Sequence, residues 1–259
     1  MPERTSHAPG TPSWIDIGTD VEAAKRFYGE LFGWSAQDAG PAEETGGYGF
    51  FMQGGRMLAG YGPQQNPGPP FWATYISVTD ADATATQVKE AGGQEIMAPM
   101  DVMTAGRMAV FQDPEGAFFS IWQPRDHIGA QLVGEPVSLC WAELNTRALE
   151  AAKAFYGAVF GWECTTSEMA PGMTYTEVKV GGEPVAGMMD MTGRVPEMVP
   201  AHWLVYFAVE DTDATGAKAQ ELGGMVMVPP TDIPPGRFAV LADDRGAAFA
   251  VLRFNETMS

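Results

Sequence analysis

The octapeptide Phe27-Tyr28-Gly29-Glu30-Leu31-Phe32-Gly33-Trp34 returns as Phe155-Tyr156-Gly157-Ala158-Val159-Phe160-Gly161-Trp162, identical at six of eight positions. Other matches keep the same order. Trp14-Ile15-Asp16 answers to Trp141-Ala142-Glu143, and Gln53-Gly54-Gly55 to Val180-Gly181-Gly182. Trp72 through Thr84 answers to Trp203 through Thr215, and Gly106-Arg107 to Gly236-Arg237. A repeat this long implies two tandem domains, not a solenoid of short units. The boundaries expected are 11–123 and 137–256, joined by a linker over 124–136 that holds Pro and Gly.

Each half splits again. Residues 14–18 alternate as in a half-buried strand. Asp20 caps a helix whose Ala23, Phe27 and Leu31 recur on one face, and Gly33 stops it. Segments 48–53 and 57–61, turning at Gly54-Gly55, read as a hairpin. After a Pro-rich loop the order repeats: a strand over 71–78, a helix from Asp80 or Asp82 to Ala91, and strands near 94–98, 107–112 and 117–122. The last two meet at Asp113-Pro114-Glu115-Gly116, a turn by its chemistry. The chain is therefore expected to be α+β, with four βαβββ units.

The 259 residues are 45% hydrophobic, enough for packed cores. The net charge of −18 disfavours nucleic acid and an acidic membrane surface; a neutral or cationic small molecule suits it better. The first residues lack the apolar stretch of a signal peptide, and no run is long enough to span a bilayer. Cys140 and Cys164 are the only cysteines, so no disulfide framework is expected. The expectation is a cytoplasmic protein, monomer or homodimer.

The Asp-capped helix ending Phe-Tyr-x-x-x-Phe-Gly-Trp, the Val-x-Asp-x-Asp-Ala helix start and the Asp-Pro-Glu-Gly turn resemble the vicinal oxygen chelate superfamily. That group takes in glyoxalases, extradiol dioxygenases and bleomycin-resistance proteins, and this chain is similar to its tandem actinobacterial members of the 27-kDa-antigen-like kind. The resemblance implies two open eight-stranded cups, each with helices outside and a ligand cavity within. It covers roughly residues 13–123 and 137–254 and fixes the fold more sharply than the function.

Metal-dependent members place four ligands, mostly His and Glu, on inward strand positions. The resemblance puts those positions at Ser13 or Trp14, Phe50, Ala73 and Ser120 in the first half. In the second half they fall at Trp141, Glu177, Leu204 and Ala250. The first cup offers chiefly Asp16, so no metal is expected there. In the second, Glu143, Glu177 and His202 are the candidate catalytic residues, either on a metal or as general acid and base; the leading expectation is still no metal and no cofactor.

Strand alternation puts Trp14, Asp16, Tyr48, Phe50, Phe71, Tyr75, Ser120 and Trp122 in the first cavity. The second receives Trp141, Glu143, Asn145, Tyr175, Glu177, His202 and Tyr206. Aromatic walls with few polar groups describe a small-molecule pocket. Trp14, Asp16, Tyr48, Phe50, Tyr75, Trp122, Trp141, Tyr175 and Tyr206 are the ligand-binding candidates, with Met97, Met100, Met103 and Met108 as an adaptable surround. Each of these rings equally suits plain core. Asp16 and Glu143 are expected to pair with Arg107 or Arg237, or else to serve a ligand. His7 and His127 are expected in solvent, and Cys140 beneath a helix. The leading expectation is a metal-independent binder of an aromatic metabolite or antibiotic. The alternative is an enzyme of secondary metabolism or detoxification.

Overall fold

A computed structural model describes residues 3–65, 67–170 and 172–255. The first half runs β1 (Pro12–Thr19), α1 (Val21–Phe32), β2 (Ser35–Asp38), α2 (Ala42–Thr45), β3 (Gly49–Gln53), β4 (Arg56–Pro63), β5 (Trp72–Ser77), α3 (Ala81–Glu90), β6 (Gln94–Val102), β7 (Gly106–Gln112) and β8 (Phe118–Pro124). The second runs β9 (Leu139–Thr146), α4 (Leu149–Phe160), β10 (Glu163–Ala170), β11 (Met173–Val180), β12 (Glu183–Asp190), β13 (His202–Ala208), α5 (Thr212–Glu221), β14 (Met225–Ile233), β15 (Gly236–Ala242) and β16 (Ala248–Phe254). Asp20 and Asp80 cap their helices through the side chain, as their positions imply. β2 is the element the pattern does not mark, since all four of its residues are exposed and nothing alternates.

Each half forms one eight-stranded curled sheet, in the order β2-β3-β4-β1-β5-β8-β7-β6 and its counterpart β10-β11-β12-β9-β13-β16-β15-β14. The two central strands of each sheet, β1 with β5 and β9 with β13, pair antiparallel and join the two βαβββ units. Outward residues of these strands are apolar, and they find their cover in the opposite half. Ile15, Ile17, Phe27, Phe51 and Trp72 share one buried cluster with Phe207, Leu241, Phe249 and Val251. Ile76, Val88, Phe111, Phe119 and Ile121 share another with Leu144, Phe155, Val159, Met188 and Trp203. The two halves thus clasp by their convex faces.

The repeated octapeptide forms the clasp. Tyr28 donates to Asp243 Oδ2 at 3.0 Å while accepting from Trp72 Nε1 at 3.0 Å. Tyr156 donates to Asp113 Oδ2 at 3.1 Å while accepting from Trp203 Nε1 at 3.1 Å. Each aspartate's other oxygen is engaged too, by backbone amides of its own turn: Glu115 and Ala117 for Asp113, Arg245 and Ala247 for Asp243. The motif tryptophans extend the crossing, with Trp34 bonding the Val137 carbonyl and Trp162 the Gly10 carbonyl. α4 has no side-chain cap of its own. Glu115 of the first half supplies one, accepting from the amides of Arg147 and Ala148 and from the Thr146 hydroxyl.

The relay yields a stability prediction. Tyr156→Phe leaves Trp203 without its acceptor and Asp113 without one donor, in surroundings where water cannot replace them. Urea unfolding is expected to show a loss of about 1–3 kcal/mol. An unchanged midpoint would mean that the relay does not hold the halves together.

Candidate functional site

β1 and β9 each carry a bulge, at Ser13 and at Cys140, where the pairing with the neighbouring strand slips by one residue. Beyond it, Trp14 and Asp16 face into the first cup, and Trp141, Glu143 and Asn145 into the second. The bulge also corrects the expectation for Cys140. Its side chain joins Trp141 in the cluster lining the second cup, not a helix, and burial pushes the thiol pKa well up.

One row of directly paired residues crosses each sheet: Phe50, Gly60, Asp16 and Ala73 in the first, Glu177, Gly187, Glu143 and Leu204 in the second. The glycine in each row is an opening. A Cβ on Gly60 would overlap the Tyr48 hydroxyl, and one on Gly187 would overlap that of Tyr175. Because neither glycine has a side chain, each tyrosine ring lies across its strand and reaches the carboxylate beyond.

In the first cup Trp14 Nε1 donates to the Tyr48 hydroxyl at 3.0 Å, and Tyr48 donates in turn to Asp16 Oδ2 at 3.0 Å. Tyr75 donates to the same oxygen at 2.9 Å. In the second, Trp141 Nε1 donates to Tyr175 at 2.7 Å. Glu143 Oε1 accepts from Tyr206 at 3.0 Å and from Asn145 Nδ2 at 3.2 Å. Seven of the nine ligand-binding candidates, Trp14, Asp16, Tyr48, Tyr75, Trp141, Tyr175 and Tyr206, therefore take part in one of two matching networks.

Desolvation among these rings pushes Asp16 up to about 6, against the opposing pull of the Tyr75 and Tyr48 hydrogen bonds. Burial likewise raises Glu143, opposed by Tyr175, Tyr206 and Asn145. The four tyrosines are held well above their ordinary pKa, chiefly by burial and then by the neighbouring carboxylate, and so stay donors. Each network can present a carboxyl group whose pKa burial has raised to a ligand inside an aromatic wall.

Phe50 and Trp122 complete the first wall, beside Trp14. Phe71 does not join them; it is 45% exposed and meets Phe118 instead. Of the four methionines expected to surround the cavity, Met108 packs on its cluster, as Met57 does, while Met97, Met100 and Met103 are exposed. Ser120 and Asn145 are buried within their cups. The expected carboxylate–arginine pairs are absent. Arg107 binds Asp82 and Asp101, and Arg237 binds Asp213 and Asp232, all on the surface.

The three catalytic candidates are not brought together. Glu143 is 5% exposed inside its network, Glu177 forms an ion pair with Lys179 at 3.0 Å, and His202 holds the Pro200 carbonyl through Nδ1 at 2.9 Å. Among the described residues no three His, Cys, Asp or Glu side chains converge as a metal would need. The donor set therefore does not fit the divalent ion that the fold family implies.

His127 overturns the expectation of a solvent-exposed linker histidine. Its ring sits edge-on to Trp14 with centroids 4.4 Å apart, and lies 5.6 Å from Trp122 and 5.7 Å from Phe50. Both ring nitrogens are buried without a hydrogen-bond partner among the described residues. Burial, with His7 adding charge repulsion, lowers its pKa to about 4. His7 is also partly buried, bonded to the Ala130 carbonyl at 2.8 Å. A single histidine in a linker offers no sequence pattern by which this placement can be read.

Comparison with known proteins bears on the whole chain. The profile of the Glyoxalase/Bleomycin resistance protein/Dioxygenase superfamily matches residues 17–121 and 138–251. The Mycobacterium tuberculosis protein CFP32, provisionally named a glyoxylase, is 46% identical over 263 residues, 98% of each chain. The anthracycline biosynthesis protein DnrV of Streptomyces peucetius is 41% identical over 271 residues, 97% of this chain and 96% of its own. Among solved structures, the 2,3-dioxygenase LapB from Pseudomonas sp. KL28 superposes with a TM-score of 0.66 at 13% identity, covering 95% of this chain and 93% of that one. The Mn(II)-bound glyoxalase from Novosphingobium aromaticivorans gives 0.64 at 15%, covering 95% and 82%. The two structures share the fold.

Two measurements test the networks. Gly187→Ala drives a methyl group into Tyr175 and should lower stability by about 1–3 kcal/mol through overpacking, read in urea; no loss would mean the ring has room to move. For Asp16 the folded pKa lies above the unfolded one, so the native state holds a proton that the unfolded state has released. Its contribution is fully present below about pH 4 and is lost as pH rises through about 6. Asp16→Asn should remove that slope from the pH dependence of Tm; an identical slope would place the Asp16 pKa at its ordinary value.

Proposed function

The chain belongs to the Glyoxalase/Bleomycin resistance protein/Dioxygenase superfamily, and we propose that within it this protein binds a planar aromatic metabolite without a metal. The observation that carries this reading is the paired network itself: a desolvated carboxyl, ringed by tyrosine donors, at the floor of an aromatic cup. A phenolic or enolic hydroxyl of a ligand would donate to that carboxylate, and flat rings would lie against the tryptophan. Relatives named for anthracycline biosynthesis support the ligand class, because anthracyclines are planar polycyclic phenols. The overall acidity favours a neutral or cationic ligand.

A second reading is an enzyme of secondary metabolism or detoxification. One observation favours it: burial raises the Glu143 pKa towards the range of a general acid or base. Glu177 and His202 stand outside the Glu143 network, so on this reading Glu143 would act with Tyr206 and Asn145 instead.

Native mass spectrometry and thermal shift against aromatic phenols and quinones are expected to give a complex at near-stoichiometric ligand. Glu143→Gln and Tyr206→Phe should each weaken it about tenfold or more. Failure of every such compound to bind would overturn the binding reading. Near-stoichiometric Fe, Mn, Ni or Zn in protein purified without chelators would overturn the metal-free one.

A further inference from the structure

The two cups carry the same carboxyl–tyrosine floor but differ at the mouth. After β8 the chain does not leave the first cup. It folds back across it as a strap over residues 125–133. Trp122 Nε1 donates to the His127 carbonyl at 2.8 Å, and the Ala130 amide donates to the Ser13 carbonyl at 2.8 Å. Gln131 makes a double stitch to Met57, its amide to the Met57 carbonyl at 2.8 Å and its Oε1 to the Met57 amide at 2.7 Å. The N-terminal segment lies over the strap in turn, through Arg4 to Gln131 and His7 to Ala130. Gly129, at φ 107°, has no room for a Cβ, which would overlap the Ser13 carbonyl.

Two of these anchors, the ones that need a donor from β4 or β8, cannot be made in the second cup. The residue matching Met57 is Pro184, which has no amide hydrogen to give, and the residue matching Trp122 is Leu252, which has no donor. Among the described residues, the cluster lining that cup draws only on its own strands. The tryptophans record the difference: Trp14 is 2% exposed, whereas Trp141, at the same place in the repeat, is partly exposed.

The geometry points to a chain that fills its own first cup. The His127 imidazole occupies, edge-on to Trp14, the place where a ligand's ring would lie, so the second cup is the single ligand site. The ring of a planar phenol there takes against Trp141 the position that His127 takes against Trp14. This assignment rests on the ligand-binding reading, but closure of the strap is independent of any ligand.

Calorimetric titration with the planar phenol dihydroxyanthraquinone is expected to give one site per chain, weakened about tenfold or more by Tyr206→Phe. His127→Ala, which empties the ring's volume, and Gly129→Val, which keeps the strap from lying down, should each add a second site that Tyr75→Phe removes. Two sites in the unaltered chain, or a single site lost with Tyr75→Phe, would overturn the proposal. Hydrogen exchange on the unliganded chain tests the strap even if no phenol binds. The Ala130 and Gln131 amides should exchange on the order of a hundredfold or more slower than in an open loop, and Gly129→Val should abolish that protection. Loop-like exchange in the unaltered chain would also overturn it, whereas slow exchange without phenol binding would leave closure standing and remove the ligand reading.

Discussion

Neither half of this protein can bury its own outer surface. The outward residues of β1, β5, β9 and β13 are mostly Ile, Leu, Val and large aromatics, and the helices of the βαβββ units cover only part of them. The surface left over is matched by the surface left over on the opposite half, and the Trp–Tyr–Asp relays fix how the two meet. Burying an aspartate beside an apolar interface is costly unless its oxygens are bonded. Here one oxygen is held by its own turn and the other by the tyrosine from the opposite half, so the polar pair is satisfied only when the halves are clasped. Because the convex faces are used for the clasp, the clusters lining the two concave faces draw on no strand of the opposite half.

Much of this could be read from residue spacing. The repeat fixes the number of units, Asp20 and Asp80 fix helix starts, and strand alternation places Trp14, Asp16, Tyr75, Trp141, Glu143 and Tyr206 on inward faces. Alternation reports a face, however, and says nothing of distance along the row. Glu177 stands in the same row as Glu143 but two strands away, across Gly187, and finds Lys179 instead. His202 pairs in register with Asn145, yet its ring turns to the Pro200 carbonyl. The bulge at Cys140 shifts alternation by one residue, which local sequence does not show. His127 was hidden for a different reason: a long-range fold-back of the linker has no period, and its signals (Gly129, Trp122 and the Met57 amide) are scattered over distant elements.

The glycines of the cup rows show how a small residue can carry a polar network. β4 and β12 each separate a tyrosine, Tyr48 just before β3 and Tyr175 on β11, from a carboxylate-bearing strand, and any side chain at Gly60 or Gly187 would fill the gap. The tyrosine therefore bridges across a strand, and its hydroxyl accepts from indole on one side. In the first cup it also visibly donates to the carboxylate on the other.

That this arrangement persists in both cups separates its structural work from its availability. In the first cup the strap and His127 cover the floor, yet Trp14, Tyr48, Asp16 and Tyr75 keep their bonds. Such a network ties β3 to β1 and β1 to β5 whatever occupies the cup, and its rigidity means that a ligand meets donors already oriented. The cups differ in the cover above this common floor. A change from Met57 to Pro184 and from Trp122 to Leu252 removes a backbone donor and an indole donor, two of the bonds that hold the strap over the first cup.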